Sequence, residues 1–409
     1  MQQAAVIRRR GSSEAQELWE QPSTYFTKAR KAGMRTWLQV ALALFGIFFI
    51  ASLLRSARPS DISSRVHGDR LLGEMSATQF GPVMVSYSYF EKDPGQLSNG
   101  KFFIAVAMGV DSTFPTPAAT DYSFVISGDL CEPCKDINHL VSDDDAASAL
   151  PQLSWAKSGD GLVMLQRTLN EGMDFAAHNV TVEWLKVKRQ LKRYRYFIFL
   201  NSSVRGPFFP SYMPPHWQWT RAYTDRLTDT IKVVSSSIVC LPSVDAGGYG
   251  PKVESWAFAI DQTALELLTE AGVFYSRACK LCDDGVVVGG EYGLSNTLLA
   301  KGYNLATLMS KYPKGLDWRD ERHWHCNNNA HPSRHGSYDG ISMHPFETMF
   351  VKASWHVGEP HLSHYTNWYL DHAAGRPSTA GAFNEKMYRY AISPAAQEPN
   401  NAEQCFKVI

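Results

Sequence analysis

The stretch YFIFLNSSVRGPFFPSY, residues 196–212, decides how the rest of the chain is read. A run of apolar side chains stops abruptly at Asn201, Ser202 and Ser203. Arg205 follows, and then Gly206-Pro207, a pair that forces a turn. The pattern predicts a buried strand that ends at a polar edge. Runs of the same kind precede and follow it: VMVSYSYF (83–90), FFIAVAMGV (102–110), YSFVISG (122–128), GLVMLQR (161–167) and IKVVSSSIV (231–239). All are rich in β-branched and aromatic residues and read as strands covered on both faces. Helical patterns over 180–192 and 263–271 lie between some of them. Buried strands separated by helices predict an α/β fold with a mostly parallel sheet flanked by helices.

In open α/β sheets a ligand binds outside the carboxyl ends of the strands. Polar residues gather at those ends. Glu91 to Asp93 follow the first strand, Arg167 to Phe175 follow GLVMLQ, and Asn201 to Arg205 follow YFIFL. Arg167 and Arg205 are candidates to face a phosphate, because a guanidinium presents forked donors that match it. Lys and Arg total 40 against 40 Asp and Glu, with no basic stripe, so nucleic acid is not an implied partner.

Upstream, WLQVALALFGIFFIASLL (37–54) carries no charge and approaches the length needed to cross a hydrocarbon core of about 30 Å. It lies too far from the start for a cleaved signal peptide. Arg8, Arg9, Arg10, Lys28, Arg30, Lys31 and Arg35 precede it, against Arg55, Arg58 and Arg65 soon after. The expected order is a cytosolic tail (1–36), one transmembrane anchor (37–54), a stem (55–80) and a luminal domain (81–409). All seven cysteines fall beyond the anchor. In an oxidising lumen Cys131, Cys134, Cys240, Cys279, Cys282 and Cys326 are disulfide candidates, with Cys240 to Cys326 one pairing. The two C-x-x-C pairs also admit a four-thiolate zinc site if they converge. Asn179-Val-Thr and Asn201-Ser-Ser are glycosylation sequons. Asn179 is the expected acceptor, because a glycan on Asn201 would obstruct the cleft.

The segment 196–212 resembles the strand end "N-D-S-x-x-G-P" of the rhamnan-synthesis F type of glycosyltransferases, and more closely the "FLNSSVRGPF-P" version of their plant, algal and fungal relatives. Further segments match in the same order. Arg167, Asn170 and Asp174-Phe175 resemble "R-x-N-x-x-x-D-F/W", and Val253-Glu254-Ser255-Trp256 resembles "H-x-Q-S-x". Gly290-Glu291-Tyr292-Gly293-Leu294-Ser295 resembles "y-E-x-G-L-S", and His344 to Lys352 resembles "h-P-x-E-x-x-F-x-K". The resemblance covers roughly residues 160 to 355.

It implies a GT-A-like, Rossmann-related fold behind one transmembrane helix, a nucleotide-sugar donor, a glycan acceptor, and a Golgi or other secretory-pathway membrane. It also implies a divalent metal, Mn or Mg, gripped by an Asp-x-Asp on the diphosphate. Here that place is Asn201-Ser202-Ser203, which has no carboxylate, and this departure puts metal dependence in doubt. The donor-binding candidates are Arg167, Asn170, Asn201, Ser202, Ser203, Arg205 and His344. A base is needed to take the acceptor proton in an inverting transfer. Glu291 and Glu254 are the candidates, and Asp174 is a third catalytic carboxylate. Trp217, Trp219 and Tyr212 are acceptor-side candidates, or core residues.

Two other classes of function remain open. A non-catalytic carbohydrate-binding or scaffold protein on the same fold accounts for the missing Asp-x-Asp. The loop HWHCNNNAHPSRH (323–335), with His323, His325, His331 and His335, suggests a metallohydrolase, or else a solvated loop stapled by Cys326.

Overall fold

The computed structural model describes residues 82–110, 119–210, 212–213, 217–275, 277–282, 284–334, 336–353 and 359–373. The expected tail, anchor and stem, together with His335 and Cys405, lie outside them. Among the described residues no helix is long and apolar enough to cross a membrane.

Nine strands form the central sheet: β1 (Val83–Tyr89), β2 (Thr120–Ser127), β3 (Ser142–Asp143), β4 (Trp155–Gly159), β5 (Leu162–Arg167), β6 (Tyr196–Asn201), β8 (Ile231–Ser235), β11 (Ala257–Asp261) and β12 (Asn304–Thr307). Between them in the chain lie three short strands, β7 (Val204–Arg205), β9 (Ile238–Leu241) and β10 (Gly250–Val253), and β13 (Val351–Lys352) comes last. The sheet order is β12-β8-β11-β6-β1-β2-β5-β4-β3. Only β11 and β4 run against the common direction. The chain builds β1, β2 and β5 outward on one side and then returns to lay β6 on the other side of β1. The β1/β6 boundary is therefore a topological switch point, where the crevice of an α/β sheet lies.

The expected strands at 83–90, 122–128, 161–167 and 196–201 coincide with β1, β2, β5 and β6, each buried almost throughout. Alternate residues of β1 serve opposite faces. Tyr87 stacks on Phe103 and Phe124, while Ser86 turns to the other face and bonds His178 and Thr181. Thr181 and His178 belong to helix α2 (Met173–Val187), which follows α1 (Pro94–Phe102) in the chain. Helices α3 (Gln262–Glu270), α4 (Gly293–Ala300) and α5 (Glu359–Ala373) come later in the chain.

Three expectations need correction. The run at 102–110 is helical, not a strand: α1 continues through a π-helical segment, Phe103–Ala107. Asp93 caps the start by accepting from the Gly95 and Gln96 N–H groups, and Pro94 sits at the first helical position. The run is apolar all round because it is sandwiched: Phe103 packs toward the sheet, and Phe102 packs on Phe208 and Tyr369. The run at 231–239 divides into β8 and β9. The break is at Ser235 to Ser237, where the Ser235 hydroxyl donates to the Ser237 carbonyl, and β9 pairs with β10 in a separate ribbon. The helix expected over 180–192 begins at Met173 and ends at Val187.

Candidate functional site

The site lies at the carboxyl edge of β1 and β6. Leaving β6, the backbone N–H of Ser202 donates to the Ser88 carbonyl at 2.9 Å, and its hydroxyl lies 3.2 Å from the Phe90 N–H. The Ser202 carbonyl accepts from the Asn99 amide of α1. Ser202 is thereby buried and ties β1 to β6, facing inward instead of into the cleft. Asn201 and Ser203 flank it, both half-buried. The Asn201 amide donates to Asp174 Oδ2 at 2.7 Å, and Asn201 Oδ1 accepts from both the N–H (3.1 Å) and the hydroxyl (2.5 Å) of Ser203. Asp174, Asn201 and Ser203 are one hydrogen-bonded chain.

Arg167 puts Asp174 there. Its Nε donates to the Ser127 hydroxyl, Nη1 to the Glu171 carbonyl, and Nη2 to Asn170 Oδ1 and the Met173 carbonyl. These bonds fold residues 168–173 back over the ends of β2 and β5 and set the start of α2. Burial pulls the guanidinium down to about 10, against the pull of Asp174 and Glu171. Asn170 is likewise occupied in holding this loop. Arg205 is also turned inward: Nε donates to Asn99 Oδ1 at 2.8 Å and Nη1 to the Thr366 hydroxyl of α5. Gly206 follows with φ +152°, at a place where a Cβ would meet the Met349 carbonyl at 2.5 Å. Only glycine permits that approach.

Glu291 approaches Asp174 from a π-helical turn, Val286–Tyr292, that runs directly into α4. Turns of this width occur often at functional sites. Gly290 lies against the Phe175 ring, so near that a Cβ would come within 3.3 Å, and this contact seats Glu291 beside the start of α2. Glu291 is pushed up to about 7, first by burial and next by the charge of Asp174. Lys352 and Lys280 oppose that rise, and Glu254 adds to it. Lys352 is carried by β13, which pairs with β7 so that Lys352 faces Val204, and the next residue's N–H donates to the Ser203 carbonyl. Lys280 lies in a loop closed by the Cys279–Cys282 disulfide. The carbonyls of Cys279 and Lys280 accept from Val286 and Val287, the first residues of the π turn. Gly285 is required there, since a Cβ would strike three of the loop's carbonyl oxygens at 2.7 to 2.9 Å.

Glu254 is buried at the start of the turn into β11. It accepts from the hydroxyls of Ser237 (2.5 Å) and Ser333 (2.7 Å) and lies 3.0 Å from His331 Nδ1. Burial alone would raise its pKa, but the bonds from His331, Ser237 and Ser333 together outweigh it and hold the carboxyl below the usual range. One oxygen accepts from the 331–333 loop and the other from Ser237, so Glu254 ties that loop to the β8–β9 turn and is not aimed at a reacting hydroxyl. The Cys240–Cys326 disulfide, with Cα atoms 5.2 Å apart, fastens the same loop to β9. Cys131–Cys134 and Cys279–Cys282 each close on themselves, which removes the thiolates that a shared zinc site needs.

The remaining candidates are spread out. His344 caps the single helical turn Pro345–Thr348, its Nδ1 accepting from the Phe346 N–H, and its ring packs on Phe346 and Tyr365. Trp219 is buried, with its indole N–H on the Ala107 carbonyl and its ring on Phe350, so it is a core residue. Trp217 is half-buried against Phe209. Tyr212 is 83% exposed. Asn179 sits mid-helix in α2, and the Thr181 of its sequon is buried under the Ser86 and Ser123 hydroxyls. The folded chain does not present that sequon as an open segment. Sequence reasoning passed over Lys280, His331 as Glu254's partner, and any role for Lys352. The only signals were the C-x-x-C around Lys280 and the position of Lys352 at the end of the last matching segment.

The residues present do not fit a divalent cation gripped by paired carboxylates. At the end of β6 the oxygens belong to Asn201 and Ser203. Asp174 has Oδ2 on the Asn201 amide and Oδ1 on its own helix at Phe175 N. Among the described residues no three His, Cys, Asp or Glu side chains gather into a ligand set.

A cavity of about 230 Å³ opens at the opposite, amino edge of the sheet, beside Asp121, Lys188, Arg193 and Tyr194. Among its charged groups Lys188 pairs with Asp144, and Arg193 and Tyr194 pair with Asp121. The carboxyl edge, where Asp174 and Glu291 act on each other at the switch point, is the better candidate site.

The sequence matches no protein-family model, and no curated protein sequence aligns with it significantly. Among solved structures, the mannosyltransferase PcManGT from Pyrobaculum calidifontis, in complex with GDP-Man and Mn2+, aligns over 82% of this chain and 91% of its own, at 13% identity and a TM-score of 0.34. A glycosyltransferase involved in the glycosylation of the major capsid of PBCV-1 aligns over 47% of this chain and 65% of its own, at 9% identity and a TM-score of 0.24. Likenesses this loose carry no argument about the present chain.

Proposed function

We propose that the chain is a glycosyltransferase that moves a sugar from a nucleotide-sugar donor to a glycan acceptor. We place it among the GT-A-like enzymes that its motifs resemble, anchored by residues 37–54 with the catalytic domain in the secretory lumen, in the Golgi or a neighbouring compartment. The observation that carries the reading is Glu291. It is a carboxylate poised near neutrality beside Asp174, at the β1/β6 switch point where α/β sheets take nucleotides.

In the proposed reaction Glu291 accepts the proton of the acceptor hydroxyl as its oxygen bonds to the anomeric carbon. The bond from that carbon to the diphosphate oxygen breaks, and the electron pair leaves with the diphosphate. Asp174 and Asn201 fix the edge against which donor and acceptor meet, and Arg167 positions them.

The test is release of nucleoside diphosphate by the full chain from UDP-, GDP- and dTDP-sugars in the presence of mixed glycan acceptors. The expected result is release from at least one donor, with Glu291→Gln slower by about 10² to 10⁴ and donor affinity little changed. Undiminished release by Glu291→Gln would remove the base assignment, and no release from any donor would remove the enzyme. The absence of a carboxylate at Asn201-Ser202-Ser203 favours one second reading, a carbohydrate-binding protein on the same fold. It predicts glycan binding with no diphosphate release.

A further inference from the structure

We propose that the cavity at the amino edge of the sheet is a second, non-catalytic site that binds one neutral sugar residue of a glycan. The inference goes beyond the glycosyl-transfer reading and needs none of the residues at the carboxyl edge.

The cavity, of about 230 Å³, lies between the end of α2, the start of β2 and the turn from β4 to β5. Pockets for drug-sized ligands begin at about 300 Å³, so this one has room for a single ring. Its walls are set before any ligand arrives. Trp184 and Tyr194, which line it, are buried. The Lys188 ammonium rests 5.1 Å over the Trp184 ring while it bonds Asp144, and the Tyr194 hydroxyl donates to Asp121 Oδ2 at 2.7 Å. Side chains fixed in this way lose little freedom on binding. β1 has 7 residues, and at about 3.3 Å for each the cavity stands roughly 20 Å from the carboxyl edge. One sugar residue cannot occupy both places.

Charge balance decides the class of ligand. Two acids, Asp121 and Asp160, and two bases, Lys188 and Arg193, line the cavity, and Asp144 behind Lys188 adds a further carboxylate. The carboxyl end of α2, the negative end of the helix dipole, closes one side. A phosphate or carboxylate would meet no uncompensated positive charge there, and a metal ion would meet two cations. A hydroxyl differs, because it donates and accepts at once. The cavity offers both functions side by side. Arg193 Nη2 lies 3.3 Å from Asp121 Oδ2; among the described residues Asp121 Oδ1 remains open to accept, and Arg193 Nε and Nη1 remain open to donate. Asp160, in the two-residue turn before β5, and Gln190, just past α2, are exposed, and their side chains bond nothing among the described residues. Neighbouring hydroxyls of one sugar ring can bridge such donor and acceptor pairs without breaking either ion pair. A glycan gripped here by one residue keeps its other end free at a raised local concentration.

The test is hydrogen exchange of the detergent-solubilised full chain with the methyl glycosides of glucose, galactose and mannose, and with glucuronic acid and glucose 1-phosphate as charged counterparts. At least one neutral glycoside should slow exchange at 158–163 and 184–194, with a dissociation constant on the order of 1 mM. The charged sugars should bind more weakly there, and saturating UDP should not displace the glycoside. Asp160→Ala combined with Gln190→Ala removes two exposed side chains, so the melting temperature should stay at the parent's value while glycoside affinity falls by about tenfold or more. Three results would each overturn the inference: no protection of the cavity by any glycoside, tighter binding of the charged sugars, or parent-like affinity in the double variant. Protection by glycoside at 286–293 alone would also overturn it, since the sugar would then lie at the carboxyl edge. None of these results bears on diphosphate release, so the transferase reading stands or falls separately.

Discussion

Replacing Glu291 with Gln keeps the side chain's size and its capacity to hydrogen-bond while removing its titration. In the folded chain the carboxyl is raised from an ordinary 4.5 to about 7. The folded state therefore binds the proton more tightly than the unfolded chain does. Stability from this group is fully present below about pH 4.5 and is lost as pH rises through about 7. At about 1.4 kcal/mol per pH unit the full effect is about 3 kcal/mol. Glu291 is half-buried, and solvent screening brings the expectation to about 1 to 3 kcal/mol. The assay is urea unfolding of parent and variant at pH 4.5, 6 and 8. Relative to the parent, Glu291→Gln should gain about 1 to 3 kcal/mol between pH 4.5 and pH 8, with the change complete near pH 8 and similar m values throughout. A stability difference that is flat across this range, or that moves in the opposite direction, would refute the placement of Glu291 in a buried, negatively charged site.

Two further outcomes are expected. Cys326→Ser opens a covalent loop whose ends are 86 residues apart, a loss of about 4 to 5 kcal/mol on loop-closure entropy alone; an unchanged urea midpoint against the non-reduced parent would show that the bridge does not form. Arg167→Met strips the loop at 168–173 of its donors and should cost about 2 to 4 kcal/mol. In that variant, nucleotide affinity per folded molecule should fall little, whereas direct contact of Arg167 with the donor would produce a large affinity loss with nearly parental stability.

The strands of the switch point were legible because each is buried on both faces, and a short uninterrupted apolar run bounded by polar residues leaves few other readings. The segment at 102–110 shows the limit of that logic. Its apolar residues are as dense as those of β1, because a helix packed between a sheet and α5 is apolar all round. Only the Asp93-Pro94 start distinguishes it. That Arg167 and Arg205 turn inward was not legible for a related reason. Arg167 and Arg205 do stand at strand ends, but whether an end residue faces out to a ligand or inward to the next loop depends on how that loop returns, and the loop's path is set by contacts far away in the chain. Asp174 follows β5 closely in the chain, whereas Glu291 lies in a turn well away from any central strand, and only its motif drew notice to it. Lys280 and the pairing of His331 with Glu254 arise from separations of chain that no local pattern encodes, and the cysteine spacing alone did not specify which residues each bridge would carry into place.

Hydrogen exchange of the full chain, with and without saturating UDP or GDP, tests the location of the site most directly. The account predicts slowed exchange at 168–175, 199–206 and 286–293, the three segments that converge on the carboxyl edge of β1 and β6, with no change at 158–163 and 184–194 beside the opposite-edge cavity. Protection confined to that cavity, or none at all with either nucleotide, would contradict it.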